Sequence, residues 1–369
     1  MPKPVYLDFN ASAPLKPQVL EHMIDVLKES GNASSIHFYG RNARKYVEYA
    51  RSSLAAILNV DPQQVIFNSG ATEGNNTILK GFAGKRILVS AIEHPSVIEC
   101  GAVVEQIAVT KDGVVDLAAF ERQIAQGEPP ALVSVMLVNN ETGVIQPVTE
   151  IARIAKQYGA LMHTDAVQAF GRIPFTRESL NVDFITLSSH KIGGPQGAGA
   201  IIFAAKAPLP KLLFGGGQER RQRAGTENVT AISGFGLAAK LAIQDMEAFQ
   251  NLSTLRDILE SHLKQNADIQ IYGEKAERVS NTTSFAFKGH PSETQLMSYD
   301  LSGAAVSSGS ACSSGTIKPS HVLIAMGASE AEAKSAIRVS LGWNSTRNDI
   351  DIFLNAWDKL GAKNGSNNA

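Results

Sequence analysis

From about residue 15 to 230, short apolar runs alternate with longer amphipathic ones. Apolar runs of about four to eight residues bounded by turn-forming residues read as strands. They predict strands at QVIFNS (64–69), KRILVSA (85–91), ALVSVMLV (131–138), GALMHTD (159–165), DFITLSS (183–189) and GAIIFA (199–204). Between them, RKYVEYARSSLAAIL and VTEIARIAKQYG carry their apolar residues at helical spacing. Strand and helix in turn imply an α/β fold with a largely parallel sheet covered on both faces. Residues 229–265 read as long helix, NVTAISGFGLAAKLAIQDM followed by TLRDILESHLKQ, connecting to a mixed segment over about 270–360. That segment has strand candidates TTSFAF and VSSGS and helices near 320–326 and 349–360. The expected division is a large unit over 14–250, a smaller α+β unit from 1–13 and 251–360, and a flexible tail over 361–369.

Composition narrows the function classes. The 34 Lys+Arg and 35 Asp+Glu give a net charge of −1, which excludes a predominantly basic nucleic-acid binder and an acidic solvating chain. No uncharged apolar run reaches the roughly 18 residues of a membrane helix, and MPKPVYLDFN has no signal-peptide core, so the expected location is the cytoplasm. Two cysteines, Cys100 and Cys312, are too few for a disulfide scaffold or an all-cysteine metal site, and no metal is expected. Cys100 follows the helix-like SVIEC and reads as a small buried apolar residue. Cys312 sits in SSGSACSSG, where only tiny polar neighbours surround it and the thiol is expected to be accessible.

In an open α/β sheet, ligands bind outside the carboxyl ends of the strands. The residues following those ends are therefore the informative ones. QVIFNS runs into GATEGNN, RILVSA into IEHP, SVMLV into NNETG, LMHTD into AVQ and ITLSS into HKIGGPQG. These ends offer Thr72, His94, Asn140, Asp165, Gln168, Ser188, His190 and Lys191.

A lysine and a carboxylate at neighbouring strand ends suit pyridoxal phosphate, which needs a Schiff-base amine and an anion to keep its ring nitrogen protonated. Lys191 and Asp165 fill those roles, while SGATE places Ala71 and Thr72 at a helix N-terminus suited to a phosphate. Ser188 and His190 could add phosphate hydrogen bonds, His94 could stack on the ring and carry protons, and Gln168 or Asn140 could bond the ring oxygen. Each piece has a plainer reading: Asp165 as a helix cap, Ser69 and Glu73 as a capping box, Lys191 as a solvated loop residue, His94 as a turn residue. Their complementary roles at adjoining strand ends outweigh those readings.

On these residues the chain resembles the cysteine desulfurases, within the class V aminotransferase group of pyridoxal-phosphate enzymes of fold type I. The resemblance rests on YLDFNASAP (6–14), GNASSIHFYGR (31–41), FNSGATEGNN (67–76), SAIEHPSV (90–97), VNNETGVIQP (138–147), HTDAVQAFG (163–171), SSHKIGGPQG (188–197), RAGTEN (223–228), SSGSACSSG (307–315) and IRVSLG (337–342). SSHK with HTDAVQ points to the cofactor class, and SSGSAC to a desulfurase.

The resemblance implies a large unit with a mostly parallel, seven-stranded-type sheet between helices, plus a smaller α+β unit. It implies pyridoxal 5'-phosphate bound through Lys191, with Asp165 at the ring nitrogen, His94 on the ring, Ala71, Thr72, Ser188 and His190 at phosphate and ring, and Gln168 near the phenolic oxygen. Thr226 would reach the phosphate of a neighbouring subunit, making the protein a homodimer. Arg338 would clamp the carboxylate of the substrate L-cysteine, Asn140 would help hold it, and Cys312 would take its sulfur as a persulfide for an acceptor protein such as an iron–sulfur scaffold or a thiolation pathway. A selenocysteine lyase, a class V aminotransferase and a catalytically quiet sulfur-relay partner are the competing readings; the thiol of Cys312 argues against simple transamination, and Lys191, Asp165 and Arg338 together argue against a pure binding role. Alternation in AIRVSLG puts Arg338 opposite the apolar side of its strand, where the plainer reading is pairing with a surface carboxylate.

Overall fold

The fold is described from a computed structural model, over residues 4–309 and 318–365. Residues Val5–Tyr6 form a short strand, β1. The central sheet contains β2 (Val65–Asn68), β3 (Ile87–Ser90), β4 (Glu105–Ile107), β5 (Leu132–Ser134), β6 (Leu161–Asp165), β7 (Phe184–Ser188) and β8 (Gly199–Phe203), in the order β2-β8-β7-β6-β5-β3-β4. Pairing is parallel from β4 through β7, and β8 runs antiparallel to both its neighbours. All strands except β8 therefore end at the same edge.

Apart from the edge strand β4, where Glu105 and Gln106 are exposed, the strands of this sheet are buried on both faces and so lack the alternating solvent side of a half-exposed strand. Leu88 and Val133 pack into one large core with the helices Phe38–Leu58 and Val229–Gln244. Their neighbours Ile87, Val89 and Leu132 join the other face, against Ile78 and Leu79 of the helix Ala71–Gly81. Cys100 is buried on that face, as its helix-like context predicts.

A second core surrounds a three-stranded antiparallel sheet of β9 (Ile269–Ile271), β10 (Thr282–Phe287) and β12 (Ala336–Ser340). The remaining strand, β11 (Ala304–Ala305), pairs in parallel with β1. Leu7 packs in this core with Phe285, Ile337, Val339, Phe353 and Trp357.

The six strands predicted over 64–204 are present, although β5 is shorter than its apolar run. The segment 229–265 forms three helices, Val229–Gln244, Met246–Gln250 and Leu252–Leu263, rather than continuous helix. Over its described residues, 306–309, VSSGS forms no strand: the pairing falls just before it, at β11, and Ser307 makes only an isolated bridge to Arg338. The last helix runs over Arg347–Gly365, past residue 360 where the sequence reading ends it. Strands β4 and β9, at three residues each, are too brief to leave a periodic signal. Among the described residues, no helix is long and apolar enough to cross a membrane.

Candidate active site

The shared strand edge opens into a cleft of about 1330 Å³ lined by Ala71, Thr72, His94, Asn140, Asp165, Gln168, Ser188, His190, Lys191 and Arg338. Nine of these ten come from the ends of central strands or the segments that follow them, and Arg338 comes from the middle of β12 on the facing unit. Thr226 does not line the cleft; it is exposed. The N-cap of the following helix is Asn228, whose side chain accepts from the Ala231 amide. Cys312 lies outside the described residues, with Ser307 and Gly309 before it and Lys318 after it on the cleft wall.

After β2 the chain turns through Gly70, whose φ of +151° few side-chain-bearing residues adopt, into the helix Ala71–Gly81. The first-turn amides of Ala71 and Thr72 stay free of helical partners at this end, where the helix dipole favours an anion. Glu73 does not close a capping box around the N-cap. It instead accepts from the Ser69 amide (2.9 Å) and hydroxyl (2.5 Å) and pairs with Arg223 (2.9 Å), leaving the helix mouth open.

Asp165, the last residue of β6, accepts from the Val167 amide at 3.0 Å and from Asn75 Nδ2 at 2.7 Å. Both oxygens are thus anchored before any ligand arrives. Asn75 was not singled out from the sequence, although the signal is there: a fully buried asparagine beside Ile78 and Leu79 on a helix stripe requires a polar partner.

Lys191 donates to the carbonyls of Asn10 (2.6 Å) and Ala11 (2.7 Å). Its pKa is pushed down to about 7 by burial and by the positive charges of Arg338 and Arg172, so a large share of the amine is neutral near pH 7. His190 is pushed down to about 4, again by burial and then by Lys191, and its Nδ1 lies 3.2 Å from Ser12 Oγ. Burial also lowers the pKa of His94. The Ser96 amide donates to His94 Nδ1 at 3.1 Å, so the neutral ring carries its proton on Nε2. His94 is therefore both the cap of a short helix turn and a cleft residue.

Gln168 Nε2 donates to the Asn10 carbonyl at 3.0 Å, while its Oε1 is buried without a partner. Arg338 donates through Nη2 to Asp8 (2.7 Å) and through Nη1 to the Asn140 carbonyl (3.0 Å), and its Nε is buried and unpartnered. The guanidinium does face away from the apolar side of β12, as alternation predicts, but a carboxylate partner already holds one edge of it.

Glu93 and Glu141 are further buried acids beside the cleft. Burial pushes Glu93 up to about 8 despite hydrogen bonds from Ser90 Oγ and the Met136 amide (2.7 Å). Burial likewise raises Glu141, whose Oε2 accepts from Ser320 Oγ at 2.5 Å.

A lysine amine, an anchored carboxylate and an open helix N-terminus around one cleft are the parts of a pyridoxal-phosphate site on an α/β sheet. Consistent with this class, residues 5–353 match the aminotransferase class-V family. The chain is 38% identical to a cysteine desulfurase IscS of Dictyoglomus turgidum over 98% of this chain and 95% of that one. It is 40% identical to a cysteine desulfurase of Sinorhizobium fredii over 95% of each chain. The crystal structure of a NifS-like protein from Rickettsia africae superposes with a TM-score of 0.91 at 38% identity, covering 97% of this chain and 99% of that one. The chain belongs to the class-V aminotransferases and, within them, to the cysteine desulfurases.

Proposed function

We propose that the protein removes sulfur from L-cysteine with pyridoxal 5'-phosphate, giving L-alanine and a persulfide on Cys312 for a sulfur-acceptor protein. The observation that carries this reading is the depressed pKa of the Lys191 amine in the same cleft as the anchored Asp165 and the open helix mouth at Ala71 and Thr72. The residues fit the cofactor: Ala71, Thr72, Ser188 and His190 for the phosphate, Asp165, already anchored as an anion, for the ring nitrogen, His94 for the ring face, and Gln168, whose amide can donate through Nε2, for the ring oxygen. When bound, pyridoxal phosphate supplies an electron sink that loosens the substrate's α-hydrogen and its carbon–sulfur bond.

The protein's own groups do the rest. Lys191, a large share of it neutral near pH 7, would hold the cofactor through its amine and can hold the proton taken from the substrate's α-carbon. Arg338 binds the substrate carboxylate once Asp8 yields one edge of the guanidinium, and Asn140 helps orient the substrate. His94 carries a proton at Nε2 and can hand it to the departing amino acid. The Cys312 thiolate attacks the substrate sulfur, so the net change is L-cysteine plus a thiol giving L-alanine plus a persulfide. A thiol with an ordinary pKa of ~8.5 is only a few per cent ionised at pH 7, so the attacking thiolate must be generated in the site. Thr226, exposed and outside its own cleft, suits the expected role in the phosphate site of a second copy.

Alanine and sulfide released from L-cysteine by the purified protein with a reductant test the reading. Wild type should form both in equal amounts, and Cys312→Ser should form neither above background while still binding the cofactor. Full activity of Cys312→Ser, or no alanine from wild type, would overturn it.

A further inference from the structure

A second cavity, of about 240 Å³, shares only Lys191 with the walls of the cleft. Its walls are mainly apolar, with Phe9, Ile192, Phe249, Leu252 and Trp343, and they hold three other charged groups. Lys16 and Asp245 neutralise each other at 2.6 Å. Arg172 has no such partner.

Arg172 is only 4% exposed, yet no carboxylate among the described residues lies within 4 Å of its guanidinium. Its hydrogen bond is from Nη1 to Asn10 Oδ1, at 2.8 Å. The guanidinium carbon sits 5.6 Å from the centre of the Phe249 ring, itself part of the cavity wall. A buried cation without a counter-ion is unfavourable, and a planar guanidinium with free N–H groups is shaped for a carboxylate. Burial and Arg338 lower its pKa to about 9, which leaves it charged at pH 7.

We infer that this cavity binds a small monocarboxylate with a short apolar tail, its carboxylate on Arg172 and its tail against Phe249, Leu252 and Trp343. Size and charge set the class. The volume is that of about eight water molecules at ~30 Å³ each, enough for a short chain. One fully charged guanidinium without a carboxylate partner, among mainly apolar walls and beside a Lys191 amine that is partly neutral near pH 7, favours a monoanion with a tail over a phosphate dianion. The inference concerns a site separate from the cleft, so it does not depend on the chemistry proposed there.

Butyrate is a direct probe, with binding to the cofactor-loaded full chain followed by saturation-transfer NMR on its methyl signal. Saturable binding is expected, weakened at least about tenfold by Arg172→Met and for the neutral isostere butyramide. Ala248→Phe, a change at an exposed residue of the cavity wall, should block it while leaving Arg172 in place. Arg338→Ala should leave it unchanged, which separates this site from the cleft. Absence of saturable binding to wild type would overturn the inference, as would equal binding of butyramide or undiminished binding to Ala248→Phe. Loss of binding in Arg338→Ala would place the probe in the cleft instead. Displacement by inorganic phosphate at equal concentration would make the cavity a general anion site and overturn the carboxylate assignment.

Discussion

The two walls of the cleft are built in different ways. On the sheet-edge wall, side chains leave the ends of parallel strands, and two of them have a partner two residues along the chain: Asp165 the Val167 amide, to which Asn75 adds a second bond from the helix after β2, and His94 the Ser96 amide. On the opposite wall, Arg338 stands mid-strand in β12, and its partners Asp8 and Asn140 come from segments 330 and 198 residues away. Asp165 and His94 on the first wall are preorganised, whereas the second wall holds its charged group in a bond that a ligand has to exchange. A preorganised wall should govern the chemical step and an exchangeable one should govern affinity.

The largest effect belongs to Lys191. Lys191→Ala should lower turnover by at least ~10²–10⁴-fold and abolish visible absorbance from a cofactor–lysine bond, read by steady-state assay and spectrum. Retained absorbance and turnover would break the assignment of this wall. On the other wall, Arg338→Ala should raise KM for L-cysteine by at least about tenfold, since a charge-assisted pair contributes ~1.5–3 kcal/mol. Arg338→Lys should restore little, because an ammonium lacks the planar fork. If instead turnover fell and KM stayed constant, the division between chemistry and affinity would be wrong.

Asn75→Ala sharpens the contrast. Removing one hydrogen bond to a buried carboxylate should lower turnover by about tenfold with KM nearly unchanged. A change in KM alone would put Asn75 on the affinity side.

The smallest effect on activity is expected at Glu93, and it is visible in stability. An unfolded carboxyl ionises near its ordinary 4.5, while folding raises Glu93 to about 8. Between those values the native state keeps a proton that the unfolded chain has released, so Glu93 makes stability fall as pH rises, by up to about 1.4 kcal/mol per pH unit. Glu93→Gln should flatten that slope and change turnover by less than about threefold, and denaturant titrations at about pH 5, 6.5 and 8 would measure it. An unaltered slope would mean that Glu93 is ionised in the folded protein.

What was legible in the sequence follows the same contrast. The sheet-edge residues could be found because strand ends are marked by a change from apolar runs to glycine and polar residues, and parallel strands bring those ends together. Asp165, Ser188 and Lys191 needed no knowledge of distant contacts. The side of β12 that Arg338 occupies was also readable from alternation with Ile337 and Val339. Its bond to Asp8 was not, because that contact depends on how the first residues cross between the two units. Asn10 and Arg172 were missed for the same reason, having only long-range partners. The break of the segment 229–265 into three helices leaves no mark in the sequence, because the composition stays helix-compatible across Asp245 and Asn251.

Asn10 bears on the order in which the chain assembles. It bonds with Asn140, Gln168, Arg172, Lys191, Asn281, Thr282 and Ser340, at sequence separations from 130 to 330 residues. Bonds across such separations return nothing until the loops between them have closed. Asn10 is therefore among the last residues to settle, and the carbonyl that holds the Lys191 amine takes its place only once both units have folded.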